Sequence, residues 1–579
     1  MRAVSSHSAR PRRIAVPRPL LARFQARAAA TGLWLALALA PGAFGPPPAR
    51  AQERPTGPLA ERIAALLETR PFRRSTWGGL VVSLTQSDTL FSWRADRRLV
   101  PASNAKLFTT AAALYYLGTE FRFVTVLFAD GRVNNGVIFG DLVLYGTGDP
   151  TFGLDTASLA PFADSVVRAG IRRVRGDVVG DASFLGAELA GPGWSPDNLT
   201  QPWAAPPSAL NAAENRIVLT VAPGDSTGAP ARVIVDPPND YYAVVSVVVT
   251  GPPRTRTRID VTRGPARGVI ELSGVIAPDR GVWRTGIAVQ EPAVFAAGLL
   301  RRLLEARGVT VQGGVRSETD EAPARARQML AAARGRSGDP FENAIAVRRS
   351  RPLDELVVMI NHRSHNLSAE LALRAIGRTV GGAGTFASGA QAVARFLREQ
   401  VGIPAGSFQV TDGSGLSLLD EATPRSLVQL LAYMRRAPES RTFYRSLPLV
   451  GQGLTSRMTG TPAEGRVRAK TGTLTAVSAL SGYVVSQGGE ELAFALLVND
   501  APSTQRSRDA LDSVAVLLSL FDRREMPAPQ AAPPAAPSRR TPAARPPRRS
   551  PPRGASGTRP RRRRWRAPRI PRRPRSPRA

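Results

Sequence analysis

The sequence predicts an α+β fold: an antiparallel sheet flanked by helices, assembled from both ends of the chain and interrupted by one or two inserted, mainly-β domains. Three observations carry this expectation. A strand-like hairpin early in the chain and three strand-like runs late in it bracket a helical zone. Between them, residues 122–325 change texture to short β-runs and small helices. The body, roughly residues 52–522, is also too long for one hydrophobic core and calls for two or three domains.

The ends are set aside first. Residues 1–51 carry eight Arg and no acid, and residues 527–579 carry seventeen Arg and no acid; without them the net charge of +33 falls to +8. The high overall charge therefore does not describe the body, and nucleic-acid binding is not expected. Arg-rich residues 2–27, an apolar run "AAATGLWLALALAPGAF" and an Ala49-x-Ala51 pattern read as a signal peptide, which implies a periplasmic or secreted protein. Pro41 and Gly42 interrupt that run, which argues against a stable membrane span. Residues 527–579 are Pro/Arg/Ala-rich with few large apolar residues and are expected to be disordered, at most a tether to anionic envelope polymers.

The body follows in order. "PLAERIAALLE" (58–68) has helical spacing, and "GGLVVSLT" and "TLFSWRA" around "QSD" read as a β-hairpin. "LVPASNAK" leads into an apolar helix, "LFTTAAALYYLG", ending near Gly118. This first part of the main domain spans 52–121, and the inserted domains span 122–325, with an all-β sub-domain at 216–283. The second part, 326–522, opens with the helical texture of "PLDELVVMINHRSHNLSAELALRAIG" and "GAQAVARFLREQVG". "RVRAKTGTL", "ALSGYVVSQ" and "ELAFALLVN" then read as strands, and a Ser503-capped helix (503–521) closes the body.

Residue usage narrows the chemistry. There is no Cys, which excludes disulfides, thiol catalysis and Cys-ligated metal. His7 falls in the signal segment and only His362 and His365 remain, little material for a Ser-His-Asp triad or a His-rich metal site. Of 78 basic residues just two are lysine, Lys106 and Lys470. Ser103 and Lys106 stand three apart at a helix start and so share a face. A serine hydroxyl needs a nearby base, and a desolvated lysine can serve where arginine, always protonated, cannot. The alternative is a surface lysine one turn from a capping serine. Ser364-His365-Asn366, inside the helical texture, offers a hydroxyl relay and an amide for a substrate carbonyl; alone, Ser-x-Asn is more often a cap or turn. Lys470, Thr471, Gly472 and Thr473 on a predicted strand make a carboxylate cradle, against the alternative of an edge strand with a solvated lysine.

The order Ser-x-x-Lys, Ser-x-Asn, Lys-Thr-Gly is that of penicillin-binding proteins and serine β-lactamases. With "LVPASNAKLFTTAAAL", "GDLVLYGTGDP", "GWSPDNLTQPWAAPPSALNAAEN", "DGSGLS" and "SGYV", the chain resembles the low-molecular-mass class C penicillin-binding proteins, the D-alanyl-D-alanine carboxypeptidase/endopeptidase family, over most of 60–520. The resemblance implies a transpeptidase-like fold and a serine peptidase of peptidoglycan stem peptides, D-Ala cross-links included, that β-lactams acylate and that needs no metal or cofactor. It implies Ser103 as nucleophile, Lys106 as proton acceptor, Ser364 as a relay to the leaving amine and Asn366 as holder of the substrate amide. Lys470, Thr471 and Thr473 would grip the terminal carboxylate, with backbone N–H of Ser103 and Thr473 forming the oxyanion hole.

Two departures stand out. His365 occupies a position that is often Asp in the family. After Gly193-Trp194, where an acidic residue usually meets a side-chain amine of the stem peptide, the chain reads Asp197-Asn198; Asp197 is the candidate, against the alternative of an Asx turn after Pro196. The rival readings are a serine β-lactamase, a non-catalytic cell-wall-binding protein that kept the pocket, and a basic nucleic-acid binder resting on the tail alone.

Overall fold

The computed structural model describes residues 58–68, 74–153, 156–264, 268–320, 325–454 and 456–525. The expected signal peptide, residues 1–51, and the expected disordered tail, residues 527–579, lie outside these residues. The main domain holds helix α1 (Pro58–Leu67), strands β1 (Thr76–Ser83) and β2 (Asp88–Trp93), and helices α2 (Ala105–Leu117), α3 (Leu353–His362), α4 (Asn366–Val380), α5 (Phe386–Glu399) and α6 (Pro424–Met434). Strands β3 (Leu449–Val450), β4 (Gly453–Leu454), β5 (Val467–Leu474), β6 (Val477–Val485) and β7 (Glu491–Asn499) precede helix α7 (Thr504–Ser519). The sheet order is β2-β1-β7-β6-β5-β3-β4, so the amino-terminal hairpin lies against the last strand of the chain. All neighbours are antiparallel except the short β3–β4 pair.

The central strands are buried on both faces, because helices cover both sides of the sheet. The two-residue side-chain period then divides them between two cores. Leu80, Val82, Tyr483, Ala495 and Leu497 face α2 to α6, whereas Trp77, Val81, Leu480, Phe494 and Leu496 face α1 and α7. This two-sided burial is why β6 and β7 read as near-continuous apolar runs.

Between α2 and α3 the chain builds a second, mixed sheet. Its longest strands, Val124–Asn134 and Val137–Gly146, form a hairpin, and helices Thr156–Arg168 and Pro292–Glu305 belong to the same segment. The last strand of this sheet, Ala346–Arg349, pairs with 124–127 and lies beyond residue 325. Residues 216–288 carry two small sheets of three and four strands.

Helix α4 joins these parts. It is buried from Leu367 through Gly377, and Asn366, Glu370 and Arg374 recur on it at four-residue spacing as one polar stripe. The Arg374 guanidinium, fully buried, donates to the carbonyl oxygens of Gly384, Glu188, Pro207 and Leu185 at 2.6–2.8 Å and stacks over Phe386. Three of those carbonyls belong to the inserted segment. Burial lowers the Arg374 pKa to about 10, opposed by Glu188 and Glu370, so the group stays charged.

Replacing Arg374 by Lys keeps a charge but removes the planar fork, leaving buried carbonyls without donors. Arg374→Lys is expected to cost about 2–5 kcal/mol and to expose residues 182–212 to protease. A urea midpoint and a digestion pattern matching wild type would remove Arg374 from this role.

Candidate active site

The site is built where the start of α2 meets β5 and the start of α4. A 3₁₀ turn, Ala102–Asn104, runs directly into α2, which brings Ser103 and Lys106 onto one face. Ala102 holds a left-handed φ of 46° just before the serine, backbone strain of the kind found at functional sites. Gly415 packs on the same turn, where a Cβ would lie 1.9 Å from the Ala102 carbonyl oxygen.

Lys106 is fully buried. Its Nζ donates to Asn366 Oδ1 at 2.7 Å and to the Ser414 carbonyl at 2.7 Å, and stands 2.9 Å from Ser103 Oγ. The first two partners can only accept, so they consume two amine protons. The third direction, towards Ser103, carries a proton in the ammonium and a lone pair in the neutral amine. Asn366 cannot be turned around, because its Nδ2 donates to the Trp203 carbonyl at 2.7 Å. Burial lowers the Lys106 pKa to about 8, against the opposing pull of Glu370, Asp412 and Asp420. Burial also pushes the Glu370 carboxyl up, with Asp412 adding to the shift.

The second serine sits differently from the sequence expectation. Ser364 lies in a break between α3 and α4, not inside a helix: Arg363 caps α3, Ser364 takes a φ of 52°, and His365 is the N-cap of α4. The segment contains no Gly or Pro to mark the break. Ser364 Oγ accepts from Lys470 Nζ at 3.0 Å, and the same amine donates to the Thr471 carbonyl at 2.8 Å. Lys470 is fully buried, and its pKa is lowered by that burial and by the like charges of Lys106 and Arg457. Desolvation weakens the amine's hold on its proton in the free site, and a bound carboxylate opposes that effect.

Strand β5 lies close against the nucleophile turn. Asn104 Nδ2 donates to the Lys470 carbonyl at 3.2 Å, and a Cβ on Gly472 would come within 2.8 Å of the Pro101 carbonyl and 2.9 Å of that amide. Thr473 Oγ1 accepts from Arg508 of α7 at 3.2–3.3 Å. Ser103, Lys106 and Asn366 thus form one hydrogen-bonded group and Ser364 with Lys470 a second. Among the described residues no side-chain hydrogen bond joins the two directly. Asp197 stands apart, exposed on the turn Pro196–Asn198, where the Asn198 N–H bonds to the Ser195 carbonyl. No hydrogen bond or ion pair ties its side chain to another described residue, so it forms no Asx turn.

Several residues were not singled out from sequence. Asp412 Oδ1 accepts from the N–H of Ser414 and Gly415, its Oδ2 from Ser417 N and Trp194 Nε1, and Glu370 accepts from Gly413 N. This network holds the Ser414 carbonyl on Lys106. "DGSGLS" carried part of the resemblance but no role. Glu214, from the inserted segment, pairs with Arg216 at 2.6 Å, Arg363 at 2.8 Å and His365 Nε2 at 3.6 Å. Burial would raise its carboxyl, but His365, Arg216 and Arg363 outweigh it and hold the pKa at about 2. Arg363 and His365 flank Ser364, so one carboxylate fixes both neighbours of the serine.

Comparison with known proteins shows which family the chain belongs to. A model of the D-Ala-D-Ala carboxypeptidase 3 (S13) family matches residues 59–519. A D-alanyl-D-alanine carboxypeptidase of Actinomadura sp. (strain R39) is 32% identical over 486 residues, covering 81% of this chain and 86% of that protein. The D-alanyl-D-alanine carboxypeptidase DacB of Haemophilus influenzae is 26% identical over 432 residues, 73% of this chain and 85% of that one. The crystal structure of penicillin-binding protein 4 from Haemophilus influenzae superimposes with a TM-score of 0.68 at 23% identity, covering 80% of this chain and 99% of that chain. Its complex with a β-lactam gives 0.63 at 22% identity, covering 79% and 97%. These structures share the transpeptidase-like fold. The family match runs from α1 to the end of α7, and the chain belongs to the D-Ala-D-Ala carboxypeptidase 3 (S13) family, as a low-molecular-mass class C penicillin-binding protein.

Proposed function

We propose that Ser103 is the acylated nucleophile of this serine-type D-Ala-D-Ala carboxypeptidase, with Lys106 as its general base. The observation that carries the assignment is the Lys106 amine: two N–H groups held by obligate acceptors, a depressed pKa, and the remaining direction on Ser103 Oγ at 2.9 Å. Neutral Lys106 takes the Ser103 proton as Oγ bonds to the carbonyl carbon of the penultimate D-Ala. The oxyanion falls to the N–H groups of Ser103 and Thr473. As the C–N bond breaks, Ser364, backed by Lys470, passes a proton to the departing amine. Water then cleaves the Ser103 ester and releases the shortened peptidoglycan stem. Asn366 orients Lys106 and the substrate amide, and Lys470, Thr471 and Thr473 receive the terminal carboxylate, with Gly472 admitting the close approach.

Benzylpenicillin should add covalently to the peptide containing Ser103 and not to Ser103→Ala, read by intact mass and peptide mapping. Lys106→Arg keeps the charge but cannot deprotonate. Its acylation rate is expected to fall by about 10²–10⁴-fold. Lys470→Arg should lose less, mainly in substrate affinity. Near-wild-type acylation by Lys106→Arg would overturn the mechanism.

The pH dependence follows from the same amine. Because the base must be neutral, acylation efficiency should rise with pH through about 8. Glu370 favours protonated Lys106, so Glu370→Gln should lower the amine pKa further and move this limb to lower pH. A limb that stays put, or moves up, contradicts the coupling.

We also propose Asp197, exposed and without a side-chain partner among the described residues, as the acceptor of a cationic amine on the stem peptide. Asp197→Asn should weaken cleavage of amine-bearing substrates while penicillin acylation holds; equal loss on both would indicate a structural role. The Arg-rich amino-terminal segment is assigned to export, and residues 527–579 to tethering on anionic envelope polymers, outside the chemistry. Deleting 527–579 should leave small-substrate turnover intact and reduce salt-sensitive retention on envelopes. Loss of turnover would put the tail inside the folded enzyme.

A further inference from the structure

We infer that Arg508, on the carboxy-terminal helix α7, is a specificity-determining residue that reads the free carboxylate of the leaving amino acid through Thr473. The inference rests on the DD-peptidase reading, in which Thr473 belongs to the carboxylate cradle. Arg508 Nε and Nη2 both donate to Thr473 Oγ1, at 3.3 and 3.2 Å. A hydroxyl that accepts two guanidinium N–H bonds turns its own proton away from them, which makes Thr473 a donor towards whatever lies on its other side. That side needs an anion or another acceptor.

The charge count points the same way. Among the described residues Arg508 has no ion pair. Asp512, one turn further along α7, is taken by Arg457 at 2.5–3.0 Å, and Asp509 Oδ1 accepts from Gln505. Nη1 of Arg508 has no hydrogen bond to a described residue, so one corner of the fork is open. A half-buried guanidinium set on a neutral hydroxyl is an incomplete arrangement; a carboxylate bridging Thr473 Oγ1 and the open corner completes it. Lys470 also faces the cradle, but burial and the like charges of Lys106 and Arg457 lower its pKa, whereas a guanidinium is charged at every working pH. Arg508 then adds a positive charge that does not titrate to the cradle, and favours substrates whose leaving residue ends in COO⁻ over amides and esters at that position.

The test compares ligands that differ only in that charge. Acylation rates of the full chain are measured by intact mass with benzylpenicillin and with its methyl ester, and turnover with a peptide ending in D-Ala-D-Ala. Arg508→Gln should slow acylation by benzylpenicillin about 10–100-fold, the worth of one charge-assisted hydrogen bond, and leave the ester rate unchanged. KM for the peptide should rise with little change in kcat, and Arg508→Lys should lie between. An equal fall with acid and ester makes Arg508 a structural clasp, and an unchanged acid rate removes it from recognition; either overturns the inference. Wild-type protein that neither takes up penicillin nor cleaves the peptide would instead remove the DD-peptidase reading, and this inference with it.

Discussion

A lysine amine stripped of water is the constraint around which the rest is arranged. A primary amine at zero exposure has lost its hydration, and only hydrogen bonds of the right kind can replace it. Two acceptors without donor capacity, Asn366 Oδ1 and the Ser414 carbonyl, define how many protons the nitrogen keeps and where its reactive direction points. Each acceptor is in turn held from behind: Asn366 by the Trp203 carbonyl, and the Ser414 loop by Asp412 and Glu370. The amine is therefore oriented by two layers of hydrogen-bonded groups as well as by its helix.

The inserted segment belongs to the site as much as the strands do. It supplies the Trp203 carbonyl that orients Asn366, the Trp194 indole that holds Asp412, and Glu214 beside Ser364. Its docking runs through Arg374, on the same helical stripe as Asn366 and Glu370. One helix thus carries, at successive turns, a contact to the base, a contact to the loop behind the base, and the anchor of the insert. The docking of the insert and the geometry of the base therefore share α4.

Much of this was legible in the sequence, and what escaped did so for physical reasons. The α+β architecture showed in apolar periodicity, because strands covered on both faces, such as β6 and β7, leave long apolar runs. Lys106 and Lys470 were visible because the chain otherwise uses arginine, and the structure places them 2.9 and 3.0 Å from Ser103 and Ser364. The break at Ser364 was not legible: a single left-handed serine between two helices leaves the apolar spacing on either side undisturbed. Nor were the Ser414 and Trp203 carbonyls, since backbone acceptors have no residue type. Glu370 and Arg508 escaped for another reason: a buried carboxylate and a cradle arginine look in sequence like ordinary helix-surface charges.

Glu214 ties the identity of residue 365 to a position far away in the chain. A histidine there meets the carboxylate at 3.6 Å, whereas an aspartate would set two anions against each other in a largely buried space. The two positions are therefore epistatic: the same exchange at 365 has opposite electrostatic sign depending on what stands at 214, and their single-site effects will not add.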